Sequence, residues 1–284
     1  METLHSINEV KKYIKQWKKE GLSIGLVPTM GYLHEGHKSL IERASKENDR
    51  VVVSDFVNPI QFGPKEDLAV YPRDLKRDEK VCMEANASIL FNPKASEMYF
   101  DDAVTFVNSS KITDVLCGAR RPGHFRGVCT VVSKLFNIVS PDRAYFGQKD
   151  AQQVAVIRRM VRDLNFDIKI IACPIVREKD GLAKSSRNTY LSEKERTAAV
   201  ILYKSLKKAK NAIEAGERNC TEIKKIISST LKSEPLAKID YVEIVNILSL
   251  QSIPEIEKSA LVAIAVYIGK IRLIDNFIFK NLEE

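Results

Sequence analysis

The chain alternates short, nearly continuous apolar runs with stretches whose apolar residues recur at helical spacing. The continuous runs predict strands at Ile24–Thr29, Val51–Val57, Ser88–Phe91, Ala103–Val107, Arg143–Gly147 and Asp167–Val176. Helical periodicity falls at Ser6–Glu20, Gly36–Glu47, Asp74–Glu84, Val128–Val139 and Ala151–Leu164. Runs without polar alternation suit strands covered on both faces, and their alternation with helices predicts a Rossmann-like, doubly wound parallel sheet. After Val176 the rhythm changes. A polar turn (177–181) and a loop (182–188) precede Ser192-Glu193-Lys194-Glu195, a capping-box pattern that predicts the start of a long helix. A second helix is expected at Thr221–Lys232, then strands at Ile239–Val245, Ala260–Ile268 and Arg272–Phe279. We therefore expect two domains, a larger one over residues 1–176 and a smaller α+β domain over 177–284.

Polar groups suited to phosphate and carboxylate ligands cluster where predicted strands end. The first strand runs into Pro28-Thr29-Met30-Gly31-Tyr32-Leu33-His34-Glu35-Gly36-His37, and a helix follows. A helix start offers unpaired N–H groups and a positive dipole end to a phosphate. Gly36 lets a ligand approach the backbone, and imidazoles three positions apart share a helical face. The segment also fits a solvated helix start with two incidental histidines. Asn58 and Gln61, around the chain-stopping Pro59, place amides that both donate and accept at the next strand end. An Asn-Pro turn with solvated polar groups explains them equally well. Phe146–Gln153 opens another helix: Gly147 permits close approach, Lys149 supplies a cation, and Asp150 can accept from a ribose hydroxyl or simply cap the helix. Gln152 or Gln153 would point back from the first turn. Lys184-Ser185-Ser186-Arg187 places two cations and two hydroxyls between the domains, as a loop closing over a triphosphate requires or as a plain surface loop.

The net charge of +8 admits a polyanionic substrate or a nucleic acid. The lysines of 204–210, however, fall opposite Leu202, Leu206, Ala209 and Ile213 on one helix, with no aromatic residues interleaved to stack bases. We expect no nucleic-acid partner. No nucleophile elbow and no Walker loop is present, so binding and electrostatics must supply the rate. Five scattered cysteines without C-x-x-C spacing predict neither a zinc site nor a disulfide framework. With no secretory pattern at the start and no run long enough to span a bilayer, they predict a cytoplasmic protein without a membrane segment.

Pro28–His37, Phe56–Phe62, His124-Phe125-Arg126-Gly127-Val128, Phe146–Gln153, Ser185–Asn188 and Arg272-Leu273-Ile274-Asp275-Asn276, in this order, closely resemble the pantoate–β-alanine ligase family of the His-x-Gly-His nucleotidylyltransferases. The resemblance runs essentially end to end. It implies ATP-dependent condensation of pantoate with β-alanine through a pantoyl-adenylate, releasing AMP and pyrophosphate. It further implies that Met30, Gly31, His34, Gly36 and His37 line the ATP site, with His37 as proton donor and His34 on the phosphates. Gly147, Gln148, Lys149 and Asp150 would bind ribose and phosphate. Val176 would face the adenine, and Lys184, Ser185, Ser186 and Arg187 would close over the triphosphate, with the smaller domain as lid. Gln61 and Gln153, with Asn58 beside them, would hold pantoate, and Gln61 would also approach β-alanine. Catalysis would fall to His34, His37, Lys149 and Arg187. Mg²⁺ would travel with ATP without a protein cage, and the assembly would be a homodimer. Two positions depart from the family pattern. Lys184 stands where methionine is usual, and Asp55 where an aliphatic residue is common, inside an apolar strand that gives a carboxylate no evident partner.

Overall fold

The computed structural model describes residues 1–64 and 66–280. Six parallel strands form the main sheet: β1 (Glu2–Leu4), β2 (Ile24–Thr29), β3 (Arg50–Asp55), β4 (Ile89–Phe91), β5 (Arg143–Gly147) and β6 (Lys169–Cys173). Their order is β1-β4-β3-β2-β5-β6. The chain winds outward from β2 to one side, then returns to place β5 on the other. The crevice at the carboxyl ends of β2 and β5 is therefore the topological switch point where open α/β sheets take ligands.

Helices α1 (Ile7–Lys19), α2 (Glu35–Glu47), α3 (Leu75–Glu84), α4 (Ala95–Met98), α5 (Leu116–Arg120), α6 (His124–Val139) and α7 (Ala151–Asp163) connect or cover these strands. α1 starts on the reciprocal Ser6–Glu9 capping box. α6 begins at His124, four residues before the predicted start, after Gly123 turns the chain at φ 83°.

The strand expected at Ala103–Val107 does not form in this chain. The backbone N–H of Val107 bonds the Thr130 hydroxyl of α6 at 3.0 Å, and Val104 is 86% exposed. With no strand beside it, the alternating pattern has nothing to pair with. The expected strand Asp167–Val176 is shorter, because Pro174 cannot donate to the ladder.

Beyond β6 lie α8 (Glu193–Ala198), α9 (Ile201–Glu214), α10 (Cys220–Lys232) and an antiparallel sheet of β7 (Ala237–Val245), β8 (Ser259–Ile268) and β9 (Ile271–Lys280). The single long helix expected after Ser192 is two, α8 and α9. The Ala199 N–H is shared between Glu195 and Thr197 carbonyls, which tightens and ends the first. Alternation along β8 settles how this sheet sits. Leu261 and Ala263 join the core of the large sheet, whereas Ala260, Val262, Ile264, Val266 and Ile268 pack with α9 and α10. The small sheet is thus buried on both faces, and its inner face is docked against the site.

Candidate active site

β2 hands over to α2 through a strained turn. Gly31 and Tyr32 both take left-handed conformations, at φ 79° and 51°. Glycine tolerates this at no cost, and tyrosine does not. His34 is the N-cap of α2 and His37 its third helical residue. The Gly36 N–H donates to His34 Nδ1 at 3.1 Å, and the His34 N–H donates to His37 Nδ1 at 3.3 Å. Two histidines thus build a capping box, a role usually taken by Ser or Thr with Glu or Gln. A Cβ on Gly36 would come within 2.8 Å of the His34 ring, so the glycine makes room for this cap.

The cap decides the tautomers. Each Nδ1 accepts, so each neutral ring carries its proton on Nε2. The rings stack with centroids 4.1 Å apart. Burial, reinforced by Lys149, Lys184 and Arg77, holds His34 down to about 4. Burial and the neighbouring His34 likewise hold His37 well below the usual imidazole range. At neutral pH the pair presents two uncharged N–H donors. The sequence comparison implied a proton donor at His37; the structure gives its ring the form of a neutral hydrogen-bond donor.

The expected residues converge on one open cleft, lined by Met30, His34, Gly36, His37, Asn58, Gln61, Gly147, Lys149, Asp150, Gln153, Val176, Lys184, Ser185, Ser186 and Arg187. Gly31 lies in the turn and not on the cleft wall, and Gln148 bonds Asn276 instead, at 3.4 Å. A second, smaller cavity lined by β9 residues adjoins it and shares Arg121, His124, Lys149, Asp150, Gln153, Ser185 and Arg187.

Within the cleft the expected ligands divide by whether protein already occupies them. Asn58 is 1% exposed, and its amide donates to Gln61 Oε1 at 3.0 Å and the Gly127 carbonyl at 3.2 Å while accepting from Tyr99. Both its hydrogens are spent, so it holds Gln61 rather than a substrate. Gln61 in turn reaches Met30 Sδ at 2.8 Å. Of the two glutamines on α7, Gln152 ties down the loop before α6 through Ile112, Val115 and Cys117, which leaves Gln153 on the cleft wall. Asp150 occupies the N-cap position of α7 but makes no side-chain cap bond and is exposed. A Cβ on Gly147 would meet nothing within 4 Å, so the open space beside it belongs to the cleft.

The cations divide in the same way. Arg187 is gripped by Asp67 through two bonds of 2.9 and 3.0 Å. Lys184 lies 2.9 Å from Glu35 and 3.0 Å from Glu178. Among the described residues Lys149 has no carboxylate at ion-pair distance. Its charge is the one available without exchange. Lys184 therefore serves chiefly to join the 177–191 loop to the start of α2. Lys184→Met is expected to change ATP affinity less than about fivefold, since such a pair contributes at most about 1 kcal/mol. Calorimetric titration with Mg-ATP checks this, and a weakening beyond about tenfold would show that the ammonium leaves its carboxylates for phosphate.

The sequence assigns no role to several site residues. Arg121 is clamped by Glu66 at 2.6 and 2.7 Å and bonds His124 Nε2, whose Nδ1–H reaches the Gln61 carbonyl at 2.9 Å. Burial and Arg121 push His124 down to about 4, which fixes that neutral tautomer. From β9, Asn276 donates to the carbonyls of Gln148 and Lys149 at 3.1 and 2.8 Å, and Asp275 receives both arms of Arg177. Arg272-Leu273-Ile274-Asp275-Asn276 thereby holds the Lys149 turn from the antiparallel sheet. Only the fold reveals the purpose of that motif.

Imidazole N–H donors at a helix start, an open lysine and paired amides at the switch point define a nucleotide-binding α/β enzyme that handles phosphate beside a small polar acid. The family model for pantoate-beta-alanine ligase matches residues 2–278. A pantothenate synthetase from Clostridium acetobutylicum is 78% identical over 277 residues, which is 98% of this chain and 99% of that protein. One from Enterococcus faecalis is 66% identical, covering 97% and 98% of the two chains. The crystal structure of the Thermus thermophilus pantothenate synthetase superposes with a TM-score of 0.93 at 44% identity over 98% of this chain and 99% of that one. A Francisella tularensis pantoate-beta-alanine ligase, solved with beta-gamma ATP and beta-alanine, superposes at 0.80 with 36% identity over 98% and 97%. The chain belongs to the pantoate–β-alanine ligase family.

Proposed function

We propose that this enzyme condenses pantoate with β-alanine at the expense of ATP, yielding pantothenate, AMP and pyrophosphate through a pantoyl-adenylate. The observation that carries the reading is the meeting, at one switch point, of two Nε2–H donors, an unopposed Lys149 and the Gln61–Gln153 pair. A carboxylate oxygen of pantoate attacks the α-phosphorus, and the bond to the bridging oxygen breaks toward pyrophosphate. Charge then accumulates on oxygens that His34, His37 and Lys149 face, where fixed donors in a desolvated site act most strongly. Arg187 adds to them if it exchanges Asp67 for phosphate. The β-alanine amine next attacks the acyl carbon, and AMP leaves.

Met30, His34, Gly36, His37, Gly147, Lys149 and Asp150 would line the nucleotide, with Val176 beside the base. Gln61 and Gln153 would orient pantoate. Residues 177–284 would serve as the smaller domain, with its 184–187 loop closing the cleft. That loop already touches the strained turn, the Ser186 hydroxyl lying 3.4 Å from the Tyr32 carbonyl. Mg²⁺ would accompany ATP and neutralise phosphate charge, and Asp150 is the carboxylate on the cleft wall able to approach it. Omitting ATP, Mg²⁺, pantoate or β-alanine in turn tests the whole. AMP release that needs pantoate and an amide product that needs β-alanine are expected; ATP turnover indifferent to pantoate would overturn the reading.

We also propose a homodimer working in the cytoplasm. All five cysteines are buried and free, which suits a reducing compartment, and among the described residues no helix is long and apolar enough to cross a membrane. The dimer is supported by Phe100, Val104 and Phe106, exposed around the strand-like 103–107 segment that finds no partner strand among the described residues. Light scattering should give a dimer for the wild type and a monomer for Val104→Asp. A monomeric wild type would end this proposal.

A further inference from the structure

Asp55 closes β3 inside the apolar sheet, and the fold gives its carboxyl group a partner. The buried Asp78 carboxyl group of α3 lies beside it. Asp78 is 1% exposed and accepts the backbone N–H groups of Tyr32 at 2.7 Å and Leu33 at 2.6 Å. Both carboxyl groups crowd the underside of Gly31. A Cβ there would collide with Asp55 and stand 3.2 Å from Asp78 Oδ2. Two buried carboxyl groups side by side do not both ionise, so they hold one proton between them. Asp78, the acceptor of two N–H bonds, keeps the charge, and Asp55 keeps the proton.

That charge has a structural task. The Gly31–Tyr32 turn is left-handed at both residues, and the tyrosine holds such a conformation only where the surroundings over-determine it. Asp78 supplies that constraint through two backbone bonds, and the turn ends at His34, whose own N–H orients His37. We propose that Asp55 is a positioning residue for the adenylating site, its shared proton keeping Asp78 in place beneath the turn that carries the histidine pair, so that losing the proton weakens ATP binding. The consequence for ATP rests on the ligase reading above; the shared proton itself does not.

The surroundings make this pair the group that titrates. Burial and the negative Asp78 push Asp55 up to about 7, against a lowering hydrogen bond from Asn92 beyond β4. Burial and Asp74 raise Asp78, while the Leu33 and Tyr32 N–H groups and Arg77 oppose them. The Cys82 thiol on α3, pushed up to about 12 by burial and both carboxylates, stays neutral. The Asp55 proton is held more tightly in the folded protein than in the unfolded chain. Its stabilisation is therefore complete in acid and is lost as pH climbs through about 7.

The test compares wild type with Asp55→Asn, whose amide still donates to Asp78 but cannot ionise, and with Asp55→Val, which offers no donor. Between about pH 6 and about pH 9, wild-type KM for ATP should rise about fivefold relative to Asp55→Asn, with kcat changed less. Titration of the nucleotide's own phosphate occurs in both proteins and cancels in the ratio. Asp55→Val, with the aliphatic type of side chain common at this position and no group to ionise, should likewise show no such rise. Two arms need no substrate. The protonated-carboxyl infrared band of the wild type should vanish in Asp55→Asn, and urea unfolding should show wild-type stability falling with pH relative to that variant. Parallel KM profiles, or an unchanged infrared band, would overturn the proposal. Absence of pantoate-dependent AMP release would instead count against the ligase reading, and the infrared and unfolding arms would still decide the role of the pair.

Discussion

Replacing His37 with alanine is expected to slow pantoyl-adenylate formation about 10²–10³-fold while changing ATP affinity less than about fivefold. The ring is a neutral donor whose Nε2–H is fixed because Nδ1 accepts from the His34 backbone. A donor placed in advance costs no reorganisation as charge develops, so its removal is felt in the transition state more than in the ground state. Alanine also leaves the His34 N–H without its acceptor and loosens the helix start. His37→Gln separates the two effects. A glutamine at this position can reach back to the N-cap N–H, so thermal stability should hold while the slow chemistry persists. Single-turnover quenching with pantoate and Mg-ATP reads the step, and wild-type chemistry in either variant would remove His37 from the mechanism.

The same geometry sets an expectation for pH. His34 falls from 6.5 to about 4, chiefly through burial. A histidine depressed in the folded state contributes stability that is present above 6.5 and lost as pH falls through about 4. The kcat/KM profile for ATP should accordingly show no acid limb at the ordinary imidazole value. Activity lost as pH rises through that value, in a limb abolished by His37→Gln, would mean that an imidazolium is required.

Lys149→Met should have the second large effect, lowering kcat/KM for ATP about 10²–10³-fold. The comparison that matters is with the other cations of the cleft. Arg187 and Lys184 meet carboxylates in the structure, so part of what they offer phosphate is spent on leaving Asp67, or Glu35 and Glu178. Lys149 has no such partner to leave, and Asn276 of β9 holds its backbone at 2.8 Å. The expected order of losses is Lys149, then Arg187, then Lys184. Asn276→Ala should lower kcat by moving Lys149 while sparing the nucleotide's other contacts. Steady-state kinetics of the series decides it, and equal losses at Lys149 and Lys184 would refute the ordering.

Local pattern determined much of this protein. The strands Ile24–Thr29 and Arg143–Gly147 lie where their apolar runs predict, and α9 buries Leu202, Leu206, Ala209 and Ile213 beneath its lysines. The Ser192–Glu195 cap is equally local, because its donors and acceptors lie within one turn. Where pattern failed, a partner was missing. Ala103–Val107 reads as a strand, but a strand exists only against a neighbour, and the described residues provide none. The choice between Gln152 and Gln153, the engagement of Asn58 and the partner of Asp55 were equally illegible, since each turns on residues far along the chain. The division among the cations belongs to the same class: Asp67 reaches Arg187 across 120 positions and Asn276 reaches Lys149 across 127. Sequence alone determined which chemical groups this enzyme possesses and the elements that carry them, because periodicity and capping act between near neighbours. Tertiary structure alone decided which of those groups are free, which are already paired and which share a proton, because charge and burial depend on whatever the fold brings within a few ångströms.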